Sequence, residues 1–304
     1  MTVLASGSKG NSSVIATSRT RILVDAGLSC RELLKRMHAA GEDPSTLDAI
    51  LVTHEHQDHV QGVAVLARRL GIPVYFTEMT HRAWERWMRP RKRMTYTEWL
   101  ERRTAEKQAV PEQEAPETEL CDEVSIRDEA ASPRDPAALP SVMYFEAGKR
   151  FAVGDIDVEP FTVPHDAADP VGFVFEGEGA RIGFATDLGY MPPNVRLALR
   201  GCDVLLLESN HDPEMLRDGP YPWSVKQRVM SRVGHLSNEA AADFLERNYD
   251  GGAAYIVLAH LSESNNLPAL ARVTAERALR DRMSLLANKL LLAQQHEPLP
   301  TIAL

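Results

Sequence analysis

The strongest constraint on the fold is an apolar run that leads directly into a cluster of imidazole and carboxylate groups. The run AILV at 49–52 predicts a buried strand. His54, His56, Asp58 and His59 follow it, and the four lie within a stretch of six residues. His54 and His56 can share one side of an extended segment, and Asp58 and His59 can converge on them from the next helix start. Imidazole and carboxylate groups bind borderline divalent metals, and four of them suit two ions better than one. A polar turn is the alternative explanation.

The surrounding sequence predicts an α/β fold with a mixed sheet covered by helices. In "SCRELLKRMHAAG", Ser29 has the position of an N-cap, apolar residues follow at helical spacing, and Gly41 ends the pattern. A strand in "LDAILVT", a helix ending at Gly71 and a strand in "IPVYFT" continue this into a βαβ order. Farther on, "YFEAGKRFAVGDIDVEPFTVPH" and "VGFVFEGEGARIGFATD" predict antiparallel strands, and helices and strands then alternate to a C-terminal helix.

Residues 89–141 break this pattern. They contain basic "RPRKR", acidic "VPEQEAPETELCDE" and Pro/Ala-rich "ASPRDPAALP", with little apolar periodicity. Such a composition buries too little surface to offset the entropy of ordering. We therefore predict one domain over 1–304 that carries a mobile insertion at about 89–141, with a possible helix in "TYTEWLERRTAEK".

Composition excludes several classes of protein. Cys30, Cys121 and Cys202 are scattered, which indicates neither a disulfide framework nor a Cys-x-x-Cys zinc site. The start "MTVLASGSKG" lacks signal-peptide features and no long apolar run follows, so we expect a cytoplasmic protein without a membrane partner. The net charge of −9 argues against non-specific coating of nucleic acid but is compatible with a local basic track. The oligomeric state stays open.

Three later residues stand at the ends of predicted strands. They are His165 in "VPHDA", Asp187 in "FATDLG" and His260 in "VLAHLS". Taken singly, they could be a turn, a hairpin cap and a buried strand-end residue. Their order and their common placement favour a shared site.

The motif Thr-His-x-His-x-Asp-His after an apolar strand resembles the signature of the metallo-β-lactamase fold, a four-layer αββα sandwich. That resemblance implies two divalent ions, zinc or manganese, with a shared ligand. The implied ligands are His54, His56 and His165 for one ion, Asp58, His59 and His260 for the other, and Asp187 as the bridge. Asp58 is also predicted to be a catalytic residue.

Seven further stretches resemble the YycJ-like (WalJ) metal-dependent hydrolases. They are "LASGSKGNSS", "LVDAGLSCRELLKRM", "HDAADPVGF", "ESNHD", "YPWSVKQRV", "GHLSNEAAADF" and "LAHLSESNN". The resemblance implies a cytoplasmic bacterial enzyme that acts on nucleic acid, with 5′-to-3′ exonuclease activity on DNA. The insertion at 89–141 is longer than expected for this family.

Other functions make different demands on the sequence. Zinc β-lactamases of the commonest type have a cysteine at the second metal position and a secretion signal, and flavo-diiron proteins have glutamate where His56 stands, so both are disfavoured. A phosphodiesterase for small nucleotides or RNA, with chemistry similar to tRNase Z, needs the same metals. A metal-stabilised regulatory protein would have a vestigial site, and the complete ligand set speaks against it.

His235 precedes His260 at a spacing similar to that of a non-ligand histidine in tRNase Z relatives, which helps to protonate the leaving oxygen. By the same resemblance Glu208 would orient it, since a carboxylate partner fixes the tautomer of an imidazole and raises its pKa. The alternative is a helix start capped by Ser237 or Asn238, with His235 merely beside it.

Substrate contacts are predicted in two places. Ser8 and Asn11 in the Gly-rich "SGSKGNSS" could donate to a phosphate, although an inter-strand turn explains the same glycines. On "VKQRVMSRV", Lys226, Arg228 and Arg232 could contact phosphates. Tyr221 and Trp223 could add a stacking face. Solvated helix charges are the alternative. The remaining histidines considered, His38, His81 and His296, are expected at the surface.

Overall fold

A computed structural model describes residues 1–89, 135–286 and 289–304, without the side chains of 281–286. The chain divides into two compact units, Met1–Glu85 with Leu139–Leu304, and Arg86–Ala138. Most of the predicted insertion, its predicted helix and Cys121 lie outside the described residues. The site lies in the first unit.

The first sheet has six strands in sequence order. They are β1 (Thr2–Ala5), β2 (Ser12–Ala16), β3 (Arg21–Val24), β4 (Ala49–Leu51), β5 (Val74–Phe76) and β6 (Val142–Tyr144). The pairs β1–β2 and β2–β3 are antiparallel, and the pairs from β3 to β6 are parallel.

The second sheet has seven strands, in the order β13 to β7. They are β7 (Phe151–Val153), β8 (Ile156–Thr162), β9 (Val171–Gly177), β10 (Ala180–Ala185), β11 (Val204–Glu208), β12 (Tyr255–Ala259) and β13 (Lys289–Leu292). Strands β7 to β10 form an antiparallel meander, as predicted, and β10 to β13 are parallel. Strand β13 was not predicted from the sequence.

Helices connect the strands and cover the sheets. They are α1 (Cys30–Ala39), α2 (Gln57–Val60), α3 (Val63–Leu70), α4 (Glu78–Met88), α5 (Pro193–Ala198), α6 (Pro213–Asp218), α7 (Trp223–Val229), α8 (Asn238–Arg247) and α9 (Pro268–Leu286), with a 3₁₀ turn at Pro44–Thr46. The Ser29 N-cap of α1 is confirmed, because its hydroxyl accepts from the Glu32 amide. Gly71 ends α3 with a left-handed φ of 70°, as expected for a C-terminal glycine.

Alternating side chains build a core on each face of the second sheet. In β11, Val204 and Leu206 face the first sheet, where they join a cluster with Val24 and Leu51. Leu205 and Leu207, which alternate with them along the strand, belong to a second cluster that residues of α5, α8 and α9 complete. The period of two thus makes one strand serve both layers, and each fully buried side chain contributes roughly 1.5–3 kcal/mol.

The outer face of the first sheet is covered by α1 and α3. These helices bury Leu33, Met37 and Leu66 on the sides that face the sheet. Helices outside two stacked sheets make an αββα sandwich, which confirms the predicted fold class. Among the described residues, the helices are too short or too polar to cross a membrane.

Candidate metal centre

The site lies where strands of both sheets end. His54 follows β4, His165 follows β8, Asp187 follows β10, Glu208 ends β11 and His260 follows β12. Because β10, β11 and β12 are parallel neighbours, their carboxyl ends meet at one edge. Loops at that edge can direct polar groups inward while the strands below stay apolar.

The structure brings the seven candidate ligands together. Ligand atoms of His54, His56 and His165 lie within 4.8 Å of one another, and the same holds for Asp58, His59 and His260. Asp187 forms a further such group with His54 and His59, and another with Glu208, His235 and His260. A carboxylate in this position can serve two ions at once.

Three of the histidines are oriented through Nδ1. In His59, Nδ1 lies 2.8 Å from Oδ2 of Asp25, and in His165, Nδ1 lies 3.0 Å from the carbonyl oxygen of Gly234. In His260, Nδ1 lies 3.0 Å from Oε1 of Glu208. A proton on Nδ1 that is donated to such an acceptor leaves the Nε2 lone pair for a metal.

Buried polar atoms without hydrogen-bond partners mark the centre. Nε2 of His54, Oδ2 of Asp187 and Nε2 of His260 are in this state. Nε2 of His165 lies 3.2 Å from Nδ1 of His56. Buried polar groups are almost always satisfied, so converging unsatisfied acceptors fit a bound cation.

Two of the candidate ligands and one supporting residue have a left-handed backbone. The φ angles are 59° for Asp25, 57° for Asp187 and 56° for His260. Such angles cost a non-glycine residue of order 1–3 kcal/mol and persist only where surrounding contacts impose them. The sharp turns direct these side chains into the centre directly after their strands.

Asp25 is a supporting residue that the sequence analysis missed. Its Oδ1 accepts from the amide of Thr53 at 2.8 Å, and its Oδ2 accepts from the Thr53 hydroxyl at 2.8 Å. The same Oδ2 holds His59. Thr53 Oγ1 also lies 3.0 Å from Nδ1 of His54. Asp25 and Thr53 thus fix two candidate ligands, and the acid after the apolar run of "RILVDAG" was the available signal.

The protonation of the cluster follows from burial and from its charges. Burial lowers the pKa of His54 well below its ordinary value, and the nearby His59 and His165 add to that effect. Burial also opposes the charged form of His59, but Asp187, Asp25 and Asp58 outweigh it and raise its pKa to about 9. The carboxylates favour protonated, positively charged histidines. A cation bound at the centre would supply that positive charge in their place.

Glu208 is fully buried and holds His235. Nδ1 of His235 lies 2.8 Å from Oε1 of Glu208. Oε2 of Glu208 accepts from the amides of Leu188 and Leu236 at 2.9 and 3.2 Å. Burial opposes its charged form, but His235 keeps the pKa of Glu208 well below the usual range. Ser237 does cap α8, by accepting from the Ala240 amide, and His235 still reaches the site.

Two other histidines lie in positions that the sequence did not indicate. His81 is buried beside Phe76 and Trp84, so its expected surface position was wrong. His211, which was not considered, is buried near Glu208 and His235, and burial lowers its pKa to about 4. It therefore stays neutral next to the site.

Comparisons with known proteins agree with this geometry. The model of the Metallo-beta-lactamase superfamily matches residues 5–260. The chain belongs to that superfamily. The chain is 35% identical over 272 residues to "Exodeoxyribonuclease WalJ" of Streptococcus pneumoniae serotype 2, covering 90% of this chain and 85% of that protein. Within the superfamily, the chain therefore belongs to the YycJ-like (WalJ) family, as the resemblance predicted.

Two further similarities extend over most of the chain. "Exodeoxyribonuclease YycJ" of Bacillus anthracis is 34% identical over 280 residues, covering 92% of this chain and 89% of that protein. The solved metallo-beta-lactamase fold protein YhfI from Bacillus subtilis aligns with a TM-score of 0.60 at 13% identity, over 98% of this chain and 97% of that one. The second similarity concerns the fold alone.

The predicted substrate contacts of this metallo-β-lactamase-superfamily chain lie in different environments. Ser8 is exposed. Asn11 is buried: its Oδ1 accepts from the Gly7 amide at 2.9 Å, and its Nδ2 lies 3.3 Å from Oδ2 of Asp58 and 3.0 Å from Nε2 of His59. Its amide group is therefore used to position the centre and does not face outward.

The two cations predicted on α7 also differ from each other. Lys226 is buried, and its Nζ donates to the carbonyl oxygen of Arg217 at 2.7 Å, so its assignment as a phosphate contact is corrected. Arg228 is exposed and its Nε donates to Oδ2 of Asp166, the residue after His165. Arg232 lies beyond the end of α7, over the ring of Tyr190.

Proposed function

We propose that this protein is a dinuclear-metal-dependent phosphodiesterase that degrades DNA from an end, with 5′-to-3′ polarity. The single observation that carries the proposal is the centre itself: two groups of three ligands converge, and Asp187 lies among them. The names of the two relatives, both exodeoxyribonucleases at 34–35% identity, support DNA as the substrate. A DNA substrate also supports action in the cytoplasm.

The ligand chemistry supports zinc or manganese. His54, His56 and His165 would hold one ion, and Asp58, His59 and His260 would hold the other, with Asp187 between them. Imidazole-rich sites suit zinc, and the carboxylates Asp58 and Asp187 also accept manganese. When bound, two such ions make water nucleophilic at neutral pH and neutralise the anionic oxygens of a phosphodiester.

His235 is the proposed general acid. Its Nδ1 is occupied by Glu208, so Nε2 is the atom that can deliver a proton to the leaving oxygen. The side chain of His235 is 20% exposed, whereas that of His260 is 3% exposed. The more open histidine thus has access to substrate, and Glu208 acts as a positioning residue that fixes its tautomer.

Two exposed side chains among the described residues lie close to the site and could contact the substrate. Arg228 stands beside Asp166, next to the proposed ligand His165, and Ser8 is exposed on the loop that contains Asn11. These two side chains are the proposed phosphate contacts. Asn11 is proposed to position Asp58 and His59 and not to bind substrate.

The proposal is tested with protein reconstituted separately with zinc and with manganese. The substrates are end-labelled single- and double-stranded DNA and RNA, beside a chromogenic phosphodiester. We expect stepwise release of nucleotides from the 5′ end of DNA, and loss of it in Asp187→Ala. Asp157→Ala removes an exposed carboxylate of β8 and is the matched control, with activity unchanged. Hydrolysis of the chromogenic compound or of RNA without cleavage of DNA would replace this proposal by the small-substrate or RNA alternative.

A further inference from the structure

The loop between β1 and β2 contacts all three members of the second ligand group, Asp58, His59 and His260. The Ser6 hydroxyl accepts from the backbone amide of His260 at 2.7 Å. Nδ2 of Asn11 lies 3.3 Å from Oδ2 of Asp58 and 3.0 Å from Nε2 of His59. The backbone amide of Asn11 also donates to the carbonyl oxygen of Asp58 at 2.8 Å. The loop thus supports the whole of this ligand group.

The first ligand group has different supports. It consists of His54, His56 and His165. Within the described part of the chain, these histidines form no hydrogen bond with the loop between β1 and β2. A change in the loop would therefore act on one ligand group and not directly on the other.

Gln295, in the segment after β13, holds this loop in place. Its side chain is buried. Its Oε1 accepts from the amide of Lys9 at 2.7 Å, and its Nε2 donates to the carbonyl oxygen of Gly10 at 3.0 Å. A Cβ at Gly7 would lie 2.6 Å from Oε1 of Gln295, so the loop needs glycine where it passes this amide. One side chain thus satisfies a backbone donor and a backbone acceptor of the loop.

The position of the Asn11 carboxamide depends on the shape of the same loop. Its Oδ1 accepts from the amide of Gly7 at 2.9 Å, and its Nδ2 donates to the carbonyl oxygen of Gly7 at 3.1 Å. The amide of Gly10 donates to that same carbonyl oxygen at 3.2 Å. Because Gln295 binds Gly10 and packs against Gly7, it fixes the backbone on which the Asn11 carboxamide rests.

Gln295 is itself fixed by contacts of its main chain. Nη1 of the buried Arg36 on α1 donates to the carbonyl oxygen of Gln295 at 2.6 Å and to that of Leu4 at 3.2 Å. Beside it, the amide of Ser6 donates to the carbonyl oxygen of Gln294 at 3.0 Å. Both glutamines lie beyond the residues that the superfamily model matches. The segment after β13 is therefore anchored next to the loop.

We propose that Gln295 is a positioning residue for one of the two metal positions. Through the loop it sets the affinity for the ion of the second ligand group, without altering the affinity for the ion of the first. The inference rests on the ligand assignment of the proposed function. Groups behind the ligands affect metal affinity because a ligand that is held out of place binds the ion less tightly.

The experiment compares Gln295→Met, Gln295→Asn and Gln294→Met in protein reconstituted with zinc. Methionine has the length of glutamine but no amide, and asparagine keeps the amide one methylene short of the loop. The side chain of Gln294 is exposed, so Gln294→Met is the matched control. Competition with a chromogenic chelator measures the two affinities, native mass spectrometry counts the ions, and thermal unfolding measures the melting temperature.

We expect Gln295→Met to weaken the binding of one ion by about 10–100-fold and to leave the other ion bound as in the wild type. Gln295→Asn should weaken the same ion by a smaller factor, and Gln294→Met should match the wild type for both. Two backgrounds identify the ion. Added to His54→Ala, Gln295→Met should weaken the ion that remains, and added to His260→Ala it should leave the remaining ion unchanged.

Two results would overturn the inference. One is equal affinity of the wild type and both Gln295 variants for both ions, in which case a lower melting temperature alone would assign Gln295 to fold stability. The other is equal weakening of both ions. If Gln295→Met does not fold, the result for Gln295→Asn decides between these outcomes.

Failure of the proposed function gives different results. A wild type that binds two ions but does not cleave DNA would refute the substrate, and the zinc affinities of the Gln295 variants would still decide the inference. A wild type that binds fewer than two ions would refute the ligand assignment, and the inference with it.

Discussion

Nδ1 of His235 lies 2.8 Å from Oε1 of Glu208. The same oxygen lies 3.0 Å from Nδ1 of His260, so one carboxylate orients two imidazoles. The two histidines nevertheless differ in their surroundings. His260 belongs to a converging ligand group with Asp58 and His59, and His235 is the more exposed of the pair. This difference separates a proposed general acid from a proposed metal ligand.

The first prediction follows from that separation. His235→Ala should keep its metal content and lose turnover by about 10²–10⁴-fold, the usual span for general acid–base assistance. His260→Ala should lose metal as well. Elemental analysis and steady-state kinetics on the same preparations give both quantities. His38→Ala, on the exposed side of α1, is the control and should match the wild type in both. Metal loss in His235→Ala would show that the roles proposed for His235 and His260 are reversed.

A second prediction concerns the shared carboxylate. The wild type should contain close to two divalent ions per chain, and Asp187→Ala should release at least one, because Asp187 lies within reach of both ligand groups. Mass spectrometry under native conditions and elemental analysis measure the ratio. A wild-type protein that remains active and metal-free after dialysis against a chelator would refute the dinuclear assignment.

Asp25 supports a third prediction, which tests a residue behind the ligands. Asp25→Asn should lower metal affinity by about 10–100-fold, because the neutral amide is a weaker acceptor for Nδ1 of His59. Competition with a chromogenic chelator measures the affinity. Asp48→Asn is a suitable control, since Asp48 accepts from the Arg21 amide at the opposite end of β3. An unchanged affinity in Asp25→Asn would show that Thr53 suffices to hold the histidines.

Local patterns predicted the layers and the strand-end positions of the candidate ligands because both depend on short-range periodicity, whereas the grouping of those ligands around two ions came from the family resemblance. The strand-end positions of His54, His165, Asp187 and His260 follow from apolar runs that stop just before them. The apolar run of "RILVDAG" places Asp25 at a strand end, but its contact could not be predicted from the sequence, because its partner His59 lies 34 positions away. β13 was missed because four residues after a long helix give too little alternation to separate a strand from a helix end.

The prediction for Lys226 was wrong in a different way. Lys226 was predicted to contact phosphates from the surface, but the structure buries it. A lysine on a short helix that also carries Gln227 and Arg228 predicts solvent exposure, and nothing in the sequence places a carbonyl oxygen within its reach. In the fold, α6 ends so that the Arg217 carbonyl oxygen faces Nζ of Lys226. Cations near the carboxyl end of a helix are favourable, which accounts for the inward position.

The last prediction uses this contrast between Arg228 and Lys226. Arg228→Ala should weaken DNA binding and reduce the slope of log affinity against log salt by roughly 0.7–0.9, the range per phosphate contact for single- and double-stranded DNA. Lys226→Met should lower the melting temperature, because the Arg217 carbonyl oxygen loses its donor, and should leave the salt slope unchanged. Anisotropy titrations at several salt concentrations and thermal unfolding measure the two effects. If Lys226→Met reduced the slope as much as Arg228→Ala does, the lysine would contact phosphate in solution and its buried position would not describe the DNA-bound state.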